Sequence, residues 1–197
     1  METHYEKLSD DNKHLLSGFS CESKTDGLPS NARRKVKKHD KEIETFLKRE
    51  ALNEQERFLN TTHLLINDEN ELVGFISLCN DSLYLAEDSR NKFKTIYASV
   101  PAVKIARLGV NSKYHNQGFG EQLLKYSLFK AIQMCDISGV AFITLDCYKH
   151  RESYYEKFGF SKTDVQPKER PYDTPISMSK PVYTWLNELS QNDIVVE

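Results

Sequence analysis

From Gly118 to Asp136 the apolar residues Leu123, Leu124, Leu128, Ala131, Ile132 and Cys135 recur with the period of one helical face, and Gly139 follows the stripe. A long helix is predicted there. Upstream, Ile43, Phe46, Leu47, Ala51 and Leu52 recur at three- to five-residue intervals between Glu42 and Phe58, which predicts one or two further helices. The runs His63 to Asn67 and Leu72 to Leu78 flank the polar connection Asp68-Glu69-Asn70-Glu71 and predict an antiparallel hairpin. Residues 80 to 99 read as a mixed, mostly polar insertion. Val103 to Val110 is a third strand, entered after Pro101, and Val140 to Leu145 is apolar enough for a strand covered on both faces. A short helix over Arg151 to Phe158 closes at Gly159; two short strands, Phe160 to Thr163 and Ile176 to Ser179, and a last helix over Val182 to Leu189 follow. Strands and helices interleave in one chain, so the fold class is α/β: a single domain with a mixed sheet flanked by helices.

Between the third strand and the long helix, Asn111 to Leu124 reads N-S-K-Y-H-N-Q-G-F-G-E-Q-L-L. A polar, glycine-bearing turn that opens a helix is suited to anions, because the first backbone N–H groups have no intrahelical acceptor and the helix dipole adds positive potential where they point. Glycine at 118 and 120 lets the backbone approach a pyrophosphate without a Cβ in the way. A dinucleotide fingerprint would place a third glycine at Leu123, and a Walker loop would place Lys-Ser or Lys-Thr after Gly120. Neither is present. A lone G-x-G before a helix is equally well a plain strand-to-helix turn.

The chain has 197 residues with 39% hydrophobic content, enough for one core, and its 27 basic and 29 acidic residues leave a net charge of −2. The totals therefore demand neither nucleic acid nor an anionic membrane. The cysteines, Cys21, Cys79, Cys135 and Cys147, lack metal-site or redox spacing and read as reduced thiols of a cytoplasmic protein; no metal is expected. No apolar stretch is long enough to span a bilayer.

With these pieces in place the chain resembles the GNAT acetyltransferase superfamily. His115-Asn116-Gln117-Gly118-Phe119-Gly120 is similar to its acetyl-CoA loop, Arg/Gln-x-x-Gly-x-Gly/Ala, with both glycines matched and His115 in the Arg/Gln place. Downstream, Ser153-Tyr154-Tyr155-Glu156-Lys157-Phe158-Gly159-Phe160 is similar to the family's aromatic-Tyr-x-Lys-x-Gly-Phe segment. The resemblance implies a mixed, mostly antiparallel twisted sheet. It divides the chain into a variable acceptor-side segment (1–60), an acetyl-CoA-binding core (62–180) and a C-terminal tail (181–197). It also implies acetyl transfer from acetyl-CoA to a primary amine by direct attack. Backbone of the third strand at Leu108 and Val110, and the turn His115, Asn116, Gln117, Gly118, Phe119 and Gly120, would then hold acetyl-CoA, and Tyr155 would protonate the departing thiolate. The strand Pro101 to Val110 is similar to one in a subgroup that includes aminoacyl-tRNA-acetylating toxins of toxin–antitoxin pairs.

Each role has a plainer reading beside it. Tyr155 could simply pack a short helix onto the sheet. His115 stands equally as a phosphate contact and as a polar turn residue, and Cys147 reads as a buried structural thiol. No general base is identifiable from spacing. The basic run Arg33, Arg34, Lys35, Lys37 and Lys38 is either a solvated helix face or an RNA backbone contact. A silent acyl-CoA or partner-binding module remains as an alternative to an enzyme. The oligomeric state, a homodimer among the options, and the acceptor stay open.

Overall fold

The structure, a computed structural model, describes residues 1–169 and 174–193; the last four residues of the predicted C-terminal tail lie outside the described residues. Among the described residues seven strands form one sheet in the order β1-β2-β3-β4-β5-β7-β6. They are β1 (Thr3–Lys7), β2 (Thr61–Asn67), β3 (Leu72–Tyr84), β4 (Ser99–Val110), β5 (Phe142–Cys147), β6 (Ser161–Lys162) and β7 (Ile176–Pro181). The helices are α1 (Ser30–Thr45), α2 (Ala51–Glu56), α3 (Glu87–Phe93), α4 (Phe119–Cys135), α5 (Glu152–Glu156) and α6 (Val182–Asp193). β1 with β2, β2 with β3, β5 with β7 and β6 with β7 pair antiparallel, while β4 and β5 are parallel. The α/β mixed sheet is the expected fold class.

Two compact units divide the chain: Met1–Cys79 with Ala106–Lys125, and Asn80–Ile105 with Tyr126–Glu197. In the first, Leu64 and Ile66 of β2 and Leu72 and Phe75 of β3 bury against Leu16, Phe19, Phe46, Leu47 and Ala51. α1 turns Val36, His39 and Asp40 inward, the i, i+3, i+4 spacing of one helical face. Its Asp40 carboxylate accepts from the Ser23 N–H at 2.7 Å and its Glu44 carboxylate from the Ser20 hydroxyl at 2.8 Å, so the helix also fixes the loop before it. The hydrophobic spacing predicted one or two helices between Glu42 and Phe58. A single π-helical turn, Phe46–Glu50, joins α1 to α2 and keeps Phe46 and Leu47 facing the core.

Sequence reasoning missed β1. Its exposures alternate imperfectly among five residues, and its register with β2, Thr3↔Asn67 to Lys7↔His63, supplies the pairing its composition does not advertise. β4 begins at Ser99, ahead of the predicted Val103, and carries Pro101 inside it. The Pro101 carbonyl still accepts from the Ala141 N–H at 2.9 Å. The polar insertion contains the end of β3 and α3, whose first turn is tied down by the Asp164 carboxylate, accepting from the Ala86 N–H at 2.7 Å and the Ser89 hydroxyl at 2.9 Å. In this second unit Leu83, Leu85, Val100, Ala102 and Phe142 cluster, and Phe93 sets its ring edge against Phe142 at 4.9 Å.

β4 is held in place by a glycine that the sequence does not single out. A Cβ on Gly109 would lie 2.8 Å from Phe75, 3.0 Å from Ile43 and 3.2 Å from Phe19, all buried or half-buried core groups. Gly109→Ala is therefore expected to destabilise the protein by about 1–3 kcal/mol through overpacking, read as a fall in the urea midpoint; an unchanged midpoint would show that the core yields at no cost.

Candidate active site

β4 delivers the chain to the glycine turn. Its register with β5 runs from Ala102↔Phe142 to Ile105↔Leu145, and among the described residues Ala106–Val110 have no β5 partner in that register. The Asn111 N–H donates to the Val73 carbonyl of β3 at 2.8 Å. Because successive backbone groups of a strand alternate sides, Gly109 also faces β3, and the N–H and C=O of Leu108 and Val110 face the opposite edge. The Val110 carbonyl there meets His115 Nε2 at 2.9 Å, and the Ala106 carbonyl accepts from Arg107 Nη1 at 2.8 Å. The Leu108 backbone and the Val110 N–H thus face the edge that an extended amide chain would use, with the Val110 carbonyl shared with His115.

The turn itself alternates in handedness. His115 is extended at φ −61°, while Asn116 and Gly118 are left-handed at φ 61° and 87°, so the backbone changes direction sharply before the helix. Asparagine is among the few residues with a side chain that tolerate such a φ. The first intrahelical bond of α4 runs from the Gln122 N–H to the Gly118 carbonyl at 3.1 Å, which leaves the N–H groups of Phe119, Gly120 and Glu121 ahead of the helical ladder. Nothing lies within 4 Å of a Cβ placed on Gly118. An open, concave, N–H-lined turn at the head of a 17-residue helix fits a pyrophosphate in shape and in sign. The Gln117 side chain is turned back to the Lys113 carbonyl at 3.3 Å, and His115 to β4.

Sequence reasoning missed what holds this turn. Tyr114, 5% exposed, accepts from the Asn67 side-chain amide at 3.0 Å and donates to the Glu71 carboxylate. Glu71 also pairs with Lys113 at 2.5 Å. Lys113 first, and then Tyr114, hold the Glu71 carboxyl below the usual carboxylate range, while burial and then Glu71 push the Tyr114 phenol up. Asn67 and Glu71 bracket the β2–β3 turn, so the hairpin and the glycine turn form one hydrogen-bonded piece. From the helix side, the Tyr5 hydroxyl donates to the Gln122 carbonyl at 3.1 Å and Gln122 Nε2 to Thr3 Oγ1 at 2.9 Å. The available signal was the polar turn Asp68 to Glu71, whose partner lies 43 residues away in sequence. Tyr114→Phe removes the hydroxyl that both Asn67 and Glu71 use, and acetyl-CoA binding is expected to weaken about fivefold by calorimetric titration, with the melting curve still cooperative. Unchanged affinity would show that the turn holds its shape without them.

Tyr155 lies in the second unit, on α5. Its ring meets Tyr154 edge-on at 5.3 Å and Phe160 at 6.1 Å. Burial first, then the neighbouring Cys147 and Tyr154, push its phenol well above the ordinary tyrosine range, so it is a neutral donor throughout physiological pH. Cys147, 4% exposed, donates to the Met178 thioether at 3.6 Å, and burial raises its thiol to about 11. A thiol so held is no nucleophile at neutral pH. Arg33, Arg34, Lys35, Lys37 and Lys38 are all at least partly exposed on α1; Lys37 pairs with Glu22 at 3.1 Å and Lys38 with Glu42 at 3.7 Å. Among the described residues no His, Cys, Asp and Glu group could hold a metal ion, and no helix is long and apolar enough to cross a membrane.

A strand that runs into a glycine turn at the head of a long helix is an arrangement suited to an anionic group such as a carrier's pyrophosphate. Residues 35–180 match the family profile described as acetyltransferase (GNAT) domain. The chain belongs to the GNAT acetyltransferase family: it is an N-acetyltransferase that uses acetyl-CoA. Solved structures share the fold. A tyrosine-to-phenylalanine mutant of KacT superposes with a TM-score of 0.73 at 16% identity, over 95% of this chain and 99% of that one. AtaT complexed with acetyl-methionyl-tRNAfMet gives 0.70 at 17% identity, over 93% and 96%. AtaTR bound with acetyl-CoA gives 0.64 at 16%, over 95% and 98%.

Proposed function

We propose that this enzyme acetylates a primary amine by direct attack on the thioester of acetyl-CoA, with Leu108, Val110 and the turn His115 to Gly120 binding the carrier and Tyr155 acting as general acid. The observation that carries the reading is the N–H-lined turn at Gly118, backed by the stretch of β4 through Leu108 and Val110, for which, among the described residues, the β5 register gives no partner. Acetyl-CoA supplies the activated acetyl group and a thiolate leaving group. The chain's share is to hold the pyrophosphate on the N–H groups of Phe119, Gly120 and Glu121, to line the carrier arm along β4, and to give a proton to sulfur as the C–S bond breaks. A phenol held neutral by its surroundings is suited to that last step. His115 contributes by tying the turn to the Val110 carbonyl.

For the acceptor, the amino group of an aminoacyl-tRNA is the reading with most behind it. AtaT, similar in fold along nearly its whole length, is seen with acetyl-methionyl-tRNAfMet, and the exposed cations of α1, in the 1–60 segment, are a surface suited to a phosphate backbone. Such a substrate places the protein in the cytoplasm. The test is acetylation of methionyl-tRNA against spermidine and a lysine peptide, with thiol release as the readout. Turnover of methionyl-tRNA that falls steeply with salt and drops about tenfold in the combined Arg34→Ala and Lys35→Ala variant supports the reading; efficient turnover of spermidine alone removes it. A protein that binds acetyl-CoA but releases thiol with none of the three would move the acceptor to another amine.

A further inference from the structure

Tyr155 lies on a helix of five residues, far too short to hold its own geometry, so its position must come from what grips α5 at each end. At the N-terminal end Glu152 pairs with Lys149 at 2.5 Å and Lys162 at 2.6 Å. At the C-terminal end the Tyr155 carbonyl accepts from the N–H of both Phe158, at 3.0 Å, and Phe160, at 3.2 Å, around Gly159, which is left-handed at φ 78°. That closes a tight turn, with the Glu156 carbonyl taking the Gly159 N–H at 2.9 Å, and the Phe158 carbonyl takes its donor from elsewhere. Lys180 on β7 supplies it, with Nζ 2.8 Å from the Phe158 oxygen. A Cβ on Gly159 would lie 2.9 Å from that same ammonium, so the glycine makes the room as well as the turn.

Lys180 is 3% exposed, and a lysine is seldom buried to no purpose. Its charge is met by the Glu188 carboxylate of α6 at 2.5 Å and by the Trp185 ring, 4.8 Å away at its centroid. Trp185 in turn sets its edge against Phe160 at 5.8 Å, and Phe160 meets the Tyr155 ring. Two lines of contact therefore lead from the Lys180–Trp185 pair to Tyr155, one through the backbone of the turn and one through the aromatic rings. A methionine would fill the same volume but would leave the Phe158 carbonyl and the Glu188 carboxylate without their donor.

We propose that Lys180, with Trp185 against it, is a positioning residue that holds Tyr155 in its working place. The catalytic part of this rests on Tyr155 being the general acid; the positional part does not. The test reads the phenol itself, as the phenolate band near 295 nm between pH 8 and 12, taken as the difference between each protein and its Tyr155→Phe counterpart. In the wild type the band is expected to emerge only above the ordinary tyrosine value of about 10, and in Lys180→Met to move down by about one unit or more as the ring loses its setting. Lys180→Met that is folded by circular dichroism and titrates like the wild type overturns the proposal. If that variant does not fold, Trp185→Phe carries the test: its band is expected to move the same way by a smaller amount, and an unmoved band overturns it. Methionyl-tRNA turnover separates the two claims. Lys180→Met should slow turnover with acetyl-CoA affinity intact, and adding it to Tyr155→Phe should slow the enzyme no further. A Tyr155→Phe enzyme at full rate would remove the acid role while leaving the titration result standing.

Discussion

Gly118→Glu is expected to lose acetyl-CoA binding by roughly 100-fold or more, the product of two independent costs. The first is backbone geometry. Gly118 sits at φ 87°, where a residue with a side chain is strained by about 1–2 kcal/mol, and relieving the strain uncurls the turn that aims the N–H groups. The second is charge, since the carboxylate would stand where the pyrophosphate has to dock. The space around Gly118 is open, so the substitution meets no wall within the protein and the fold should survive it. Calorimetric titration of both proteins with acetyl-CoA decides the matter: a Gly118→Glu variant that binds within about threefold of wild type would move the carrier to another site.

Tyr155→Phe is expected to cut turnover by about 10²–10⁴-fold, the range for a lost general acid, with acetyl-CoA binding intact. The pH profile gives a second, independent reading. A group whose pKa is raised keeps its proton to higher pH, so the activity that depends on it is complete below the ordinary tyrosine value and is lost only as pH rises through the shifted one. Turnover should therefore climb with deprotonation of the amine and hold level through about pH 10, with a descending limb only beyond it. A limb below about pH 9 would assign the proton to some other group, and a phenylalanine variant with full turnover would leave Tyr155 as packing.

Much of the fold could be read in advance where burial and periodicity agree. The stripe of α4 and the doubly covered run of β5 each have one physical explanation, and their edges fell within two residues of the observed ones, while β3 starts where expected at Leu72 but runs six residues past Leu78, to Tyr84. β1 and α3 could not be read, because short, half-exposed segments carry little periodic signal and owe their shape to partners far along the chain. The candidate site divides in the same way. Its glycines are local backbone requirements and show in sequence, whereas the ties of Tyr114 to Asn67 and Glu71, and of Lys180 to Phe158, join residues 22 to 47 positions apart. The basic run could be located but not explained, since exposed cations look alike whether or not they have a partner.

The bond between the hairpin and the glycine turn has a consequence for how such an enzyme can vary. Asn67 and Glu71 lie outside the proposed site, yet they hold Lys113 and Tyr114, from which the glycine turn springs. If the turn holds the carrier as proposed, exchanges in that hairpin are expected to raise or lower acetyl-CoA affinity while the glycines and the tyrosine stay as they are. On the proposed roles, carrier affinity and the rate of the chemical step therefore answer to different residues, so a substitution can change one and leave the other as it was.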